Sequence, residues 1–193
     1  ANRTFTTLEQ LGEALSYAGP VAADFNNDGW LDIYVGTGAP LFSSLVPNRM
    51  MRNLNGEKYA DVTTSGGFGN IQKGHGISFG DFENDGNQDV FAEYGAALPS
   101  DLGKSALYVN PGNRNKSITL KLAGVKNNRA AIGARVKMKL PDSNGNERTI
   151  HRVVSSGSSF GANSLQLEMR VGQADFVNEI VVRWPGSQFE QIF

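Results

Sequence analysis

The chain has no cysteine in its 193 residues. That excludes disulfide staples, thiolate metal sites and thiol nucleophiles. Histidine is nearly as scarce, with only His75 and His151, so zinc or copper sites built on imidazole have little to draw on. No apolar stretch approaches the ~18 residues that a membrane-spanning helix needs, so no membrane span is expected. Helical periodicity is confined to Leu8, Leu11 and Leu15, a spacing equally compatible with a turn or two of helix and with a loop. The start, ANRTFTTLEQ, shows neither an initiator Met nor a signal-peptide pattern, and the end, WPGSQFEQIF, stops inside a strand-like pattern. Both ends read as cut from a longer chain.

What the chain has in quantity is glycine, 23 residues of it, among many Asn, Asp and Ser. Turns must therefore be frequent and elements short, which points to an all-β fold. The net charge of −1 hides an uneven distribution. Seven acids (Asp24, Asp28, Asp32, Asp81, Glu83, Asp85 and Asp89) lie in two short stretches, and the rest of the chain is mildly basic.

Those two stretches are copies. An offset of 57 aligns GPVAADFNNDGWLDIYVGTG with GISFGDFENDGNQDVFAEYG, with eight of twenty positions identical, and also places Asn53 on Asn110. One supersecondary unit therefore occurs twice over about residues 10–115. Each copy reads as strand, acidic loop, strand, variable insert, strand, turn, strand. The inserts, residues 39–49 and 96–105, read as loops free to meet partners. After about residue 117 the texture changes to alternating strands: SITLKLAG, ARVKMKL, TIHRVVSS, SLQLEMRV and NEIVVRW. PDSNGNE forms a hairpin turn between the second and third. Residues 1–116 and 117–193 are thus expected to be separate domains, the second a small β-sandwich or barrel. Its ten Lys/Arg against six Asp/Glu are spread along strands without interleaved aromatics. They predict a solvated face and no nucleic-acid partner.

The loops read D-F-N-N-D-G-W-L-D and D-F-E-N-D-G-N-Q-D, with oxygen-bearing side chains at positions 1, 3, 5 and 9. Carboxylates about 4 Å apart repel by roughly 4 kcal/mol at an effective dielectric near 20. A hard cation taking six to eight oxygens offsets that cost, and calcium tolerates the irregular geometry better than magnesium. Gly29 and Gly86 permit the sharp turn that aims the position-7 carbonyl of Trp30 or Asn87 inward. Phe25 and Phe82 are expected to turn away and anchor each loop in the core. An EF-hand needs Glu at position 12, where this chain has Val35 and Ala92. A simple Asn-Asp-Gly turn explains one such loop, but less readily two in register.

Other motifs carry less. GSSFG around Ser159 matches a nucleophile elbow, but no histidine follows it to complete a triad. His75, in GHG, reads as a group behind the second loop or as a turn histidine. A glycosidase pair needs two carboxylates in different environments, whereas these sit at regular ligand spacing. Asn2 and Asn115 begin glycosylation sequons that matter only in a eukaryotic secretory setting.

DFNNDGWLDIYVG and DFENDGNQDVFAEYG resemble the FG-GAP (VCBS) repeats of integrin α-like propellers. NKSITLKLAGVKNNRAAIGARVKMKL, RVVSSGSSFGANS and NEIVVRWPGS resemble the ASPIC/UnbV domain. Together they imply two β-propeller-like FG-GAP blades followed by the small β-domain, with two calcium ions bound. The implied ligands are Asp24, Asn26, Asp28, the Trp30 carbonyl and Asp32, then Asp81, Glu83, Asp85, the Asn87 carbonyl and Asp89. Glu83 replaces the usual Asp or Asn, and RVGQAD replaces a Gly-Leu-Gly-like turn. Gln88 stands where an apolar residue is usual and predicts weaker packing behind the second loop. The resemblance implies a non-enzymatic module, extracellular, on the cell surface or periplasmic, that serves adhesion, recognition or surface structure. Its partner would be a protein or glycan. Two blades cannot close a propeller, so self-association through open sheet edges, or a longer parent chain, is expected. The alternatives are an enzyme or accessory protein of a biosynthetic pathway, and a fibre or surface-layer subunit.

Overall fold

The computed structural model describes residues 20–37, 46–95, 99, 103–142, 144–157, 162–187 and 189–193. Leu8, Leu11, Leu15, Asn2, Ser159 and most of both inserts lie outside them. Regular structure among the described residues is entirely β. The first repeat supplies β1 (Pro20–Ala23), β2 (Asp32–Val35), β3 (Arg49–Leu54) and β4 (Lys58–Asp61), an antiparallel meander in that order. The second supplies β5 (Gly74–Gly80), β6 (Asp89–Tyr94) and β7 (Ala106–Tyr108), again a meander. Both acidic loops join the first and second strands of their sheets, as the 57-residue offset requires.

The C-terminal strands are β8 (Lys116–Leu120), β9 (Arg135–Pro141), β10 (Glu147–Val153), β11 (Leu167–Gly172), β12 (Glu179–Arg183) and β13 (Glu190–Ile192). They form an antiparallel sheet β10-β9-β12-β13 and a pair β11-β8. Neither closes into a barrel, so that alternative falls for the described residues. Five strands match those expected from alternation, and β13 adds a sixth. In β9 the period of two sends Val136, Met138 and Leu140 inward, while Lys139 pairs with Glu179 at 3.1 Å outside. Asp142 nucleates the β9–β10 turn by accepting the N–H groups of Asn144 and Asn146. Met138, Ile150, Met169 and Val182 gather residues of both sheets into one core.

The two repeat sheets share a second core, in which they stack by unlike faces. Val21, Ala23, Tyr34 and Met50 of the first meet Ile77, Phe79, Val90, Ala92 and Tyr94 of the second. Shifting by 57 shows that Tyr34 corresponds to Phe91 and Met50 to Leu107, which lie on the other side of the second sheet. Those residues are exposed, Phe91 at 38% and Leu107 at 50%. A hydrogen-bonded chain of hydroxyls crosses the interface, Tyr34 to Tyr94 at 3.0 Å and Tyr94 to Tyr108 at 2.8 Å. It ends on the carbonyls of Phe68 and Gly67. Burial pushes the Tyr34 and Tyr94 phenols upward, so both stay neutral donors.

The unlike-face stacking corrects one expectation. Phe25 does anchor its loop, its ring edge-on to Phe79 at 4.9 Å and near Phe68. Phe82 does not: it is 61% exposed, because no further sheet among the described residues covers the face that the second repeat leaves open. The first insert is also less free than expected, since Asn48 within it is fully buried. Its amide oxygen accepts the Thr37 N–H at 2.7 Å, and its nitrogen donates to the Asn70 and Gln72 carbonyls.

Phe25→Ala should cost about 2–4 kcal/mol in denaturant unfolding, and Phe82→Ala less than about 1 kcal/mol. Equal costs would contradict the unlike-face stacking.

Candidate metal centre

Each loop is wound around its first aspartate. Asp24 accepts the N–H groups of Asp28 and Gly29, at 3.1 and 2.7 Å. Asp81 does the same for Asp85 and Gly86, at 2.9 and 2.8 Å. Asp28 and Asp85 accept the N–H groups of Trp30 and Asn87. The ninth-position aspartates tie each loop to its sheet. Asp32 accepts from Phe25 and Asn53, and Asp89 from Phe82 and Asn110. Asn27 and Asn84 carry matching left-handed φ of 58° and 59°, a conformation Asn tolerates better than most residues. Gly29 and Gly86 follow at 93° and 85°, where a side chain would be strained. The duplication therefore extends to backbone geometry and hydrogen bonding as well as letters.

Winding the side chains inward turns the carbonyls of Asn26, Asn27, Asp28 and Gly86 outward, where they need donors. The C-terminal strands provide many of them. Arg148 Nη1 donates to the Asp28 carbonyl at 2.7 Å and its Nη2 to that of Val171. A Cβ on Gly29 would lie 2.7 Å from both nitrogens. The Gly172 N–H donates to the Asn27 carbonyl at 3.0 Å. Arg170, fully buried, donates to the Gly86 carbonyl and pairs with Glu168 at 2.5 Å. Ser117 adds a second bond to that carbonyl. Asn113 and Asn115 both donate to the Asn26 carbonyl.

The loops also touch each other. Asn27 Nδ2 reaches Asn87 Oδ1 at 2.8 Å and the Gly86 carbonyl at 3.3 Å. The Asp24 N–H reaches Gln88 Oε1 at 3.3 Å. Gln88 thus bridges the loops, a use of its amide that an apolar residue could not supply. Sequence reasoning missed the arginines. The solvated-face reading fails for Arg170 because the outer side of β11, which alternation aims away from its own core, is covered by the acidic loops, and for Arg148 and Arg152 because they share the inward face of β10 with Ile150.

The electrostatics of the two loops differ. Burial pushes the Asp24 carboxyl up to about 7, with Asp28 adding to the rise and Arg152 opposing it. Burial likewise raises Asp32 to about 6, against the Asn53 and Phe25 N–H groups. Asp85, exposed at the fifth position of the second loop, is held below the ordinary carboxylate range by Asn87. Among the described residues no three His, Cys, Asp or Glu side chains converge closely enough to hold a metal outright; the carboxylates face backbone N–H groups. The donor set nevertheless fits a hard divalent cation. It is all oxygen, and among the described residues Asn27 Oδ1, buried between the loops, has no hydrogen-bond donor. Asp24, Asn26, Asp28, the Trp30 carbonyl and Asp32 would hold one ion, and Asp81, Glu83, Asp85, the Asn87 carbonyl and Asp89 another. The ion would neutralise the buried charge.

His75 lies at a bulge in β5 rather than in a turn. Its Nε2 is buried without a partner among the described residues, so nothing ties that nitrogen to either loop.

Arg170→Met should destabilise the protein by about 3 kcal/mol or more, because Glu168 is then buried without its counter-charge. Arg170→Met/Glu168→Met should recover much of the loss in the same denaturation assay. A single variant as stable as the native chain would refute the pairing.

Among curated proteins, none matches the chain. A family match begins beyond the second loop and covers the strands that contribute Arg148, Arg152 and Arg170: residues 124–193 match the ASPIC and UnbV family.

Proposed function

We propose that the chain is a non-enzymatic, calcium-stabilised module acting outside the cytoplasm in adhesion, recognition or surface structure. The observation that carries this reading is the duplication of one loop geometry. Two nine-residue turns, 57 residues apart, repeat the same inward aspartate bonds and the same left-handed pair of residues. A chance Asn-Asp-Gly turn has no reason to keep four oxygen side chains in register twice. The resemblance of these turns to FG-GAP repeats agrees with the geometry. In this reading the calcium ions stiffen the strand connections of blade-like sheets. They also fix the carbonyls that the ASPIC/UnbV segment grips, so that both modules form one presenting surface for a protein or glycan partner.

Calcium titration by calorimetry tests the reading on the native chain, Asp28→Ala and Asp85→Ala. Each substitution should weaken or remove one binding event and lower the melting temperature in calcium, but not in chelator. If neither alters binding or melting, the calcium assignment is wrong.

A further inference from the structure

The two loops, though duplicates, sit in unlike electrostatic settings. The ninth-position aspartates are buried alike, Asp32 at 1% and Asp89 at 2%, but the rest differs. In the first loop Asp24 is 2% exposed and Asn26 and Asp28 are half-buried, whereas in the second Asp81 is half-buried and Glu83 and Asp85 are exposed. The first loop has three acids and the second four. Arg152, from β10, places Nη2 3.9 Å from Asp24 Oδ2, and that nitrogen is buried with no hydrogen-bond partner among the described residues. Arg148 adds a second positive charge at the Asp28 carbonyl. At the second loop the guanidinium of Arg170 is matched by Glu168. The charged groups around Arg152 are Asp24, Arg148 and Arg170, so among the described residues Asp24 is its acidic neighbour.

We propose that Arg152 is a built-in counter-cation of the first loop, so that the second loop takes a divalent ion first and the first loop binds one more weakly. The proposal rests on the calcium reading above and assigns the difference between its two sites. A metal ion entering beside Asp24 meets a like charge that is already there and that burial keeps unscreened. The guanidinium makes no hydrogen bond through Nη2 among the described residues, so displacing that nitrogen forfeits only the ion pair. A metal ion entering the second loop meets four acids and open solvent.

Trp30 makes the first loop separately visible, because it occupies position 7 there while the second loop has Asn87. Terbium, an oxygen-seeking calcium mimic, should emit through Trp30 when it fills the first loop. Trp30→Phe, which keeps the carbonyl, should remove that emission and leave any background from Trp184. In the native chain, the emission should rise with the weaker of the two binding events seen by calorimetry. Arg152→Gln should shift its midpoint to about tenfold lower terbium, and Arg152→Lys should not. The Arg152 role is overturned if the Trp30 signal follows the tighter event, or if Arg152→Gln leaves the midpoint in place. The loading order in the native chain decides the matter even if Arg152→Gln fails to fold. Absence of both heat and emission in every form would sink the calcium reading itself.

Discussion

The arrangement of the acidic loops is an inversion: side-chain oxygens face in, onto the loop's own N–H groups, and the main-chain carbonyls of Asn26, Asn27, Asp28 and Gly86 face out. The inner half is self-sufficient, since Asp24 and Asp81 each hold the two amides that follow the turn. The outer half is not. Carbonyls of Asn26, Asn27, Asp28 and Gly86 project from the repeats, and a buried carbonyl without a donor costs about 1–3 kcal/mol. Their donors come from Arg148, Arg170, Ser117, Asn115 and the Gly172 N–H. The C-terminal strands therefore complete the loops as much as they form a module of their own. Loop order and module docking are two views of one hydrogen-bond network.

The same inversion explains what was legible in the letters. Much that is local to the repeat could be read: the 57-residue offset, the loop positions, the special backbone at Gly29 and Gly86, and the correspondence of Asn53 with Asn110. The fourth strand expected in the second copy could not, because β8, which stands in its place, pairs with β11. Alternation also gave five of the six C-terminal strands, most plainly β9 and β10, whose buried residues fall on one face. The long-range contacts were not legible. In β11, Leu167, Met169 and Val171 mark the core side, and nothing marks Arg170 as buried on the other. Whether a strand's outer face meets water or another module depends on docking, and alternation is blind to it. Phe82 fails for the complementary reason: its letter matches Phe25, but its neighbour in space does not exist among the described residues.

Duplication followed by divergence also accounts for the uneven loops. Equivalent positions began with equivalent chemistry, yet stacking by unlike faces makes the two repeats inequivalent at once. In the first loop Asp24 falls beneath β10 and loses water, whereas Glu83 and Asp85 of the second stay exposed, although Asp32 and Asp89 are buried alike. Desolvation then raises the cost of every uncompensated charge in the first loop, which is where Arg148 and Arg152 gather. The second loop keeps more acid and needs less compensation.

Unlike-face stacking has a further physical consequence. A contact between two different faces does not satisfy itself: each added sheet covers one face and presents the other. Here the second sheet presents Phe91 and Leu107 where the first buries Tyr34 and Met50, and Phe82 where the first buries Phe25 against Phe79. The C-terminal module does not end the series on that side, because its bonds to the repeats run to the loops and to the outer edge of β5, where Asn163 accepts the Phe79 N–H. Among the described residues it closes the stack at the loop end and leaves the face open. The apolar surface there is what this mode of packing produces at its last member, and needs no separate origin.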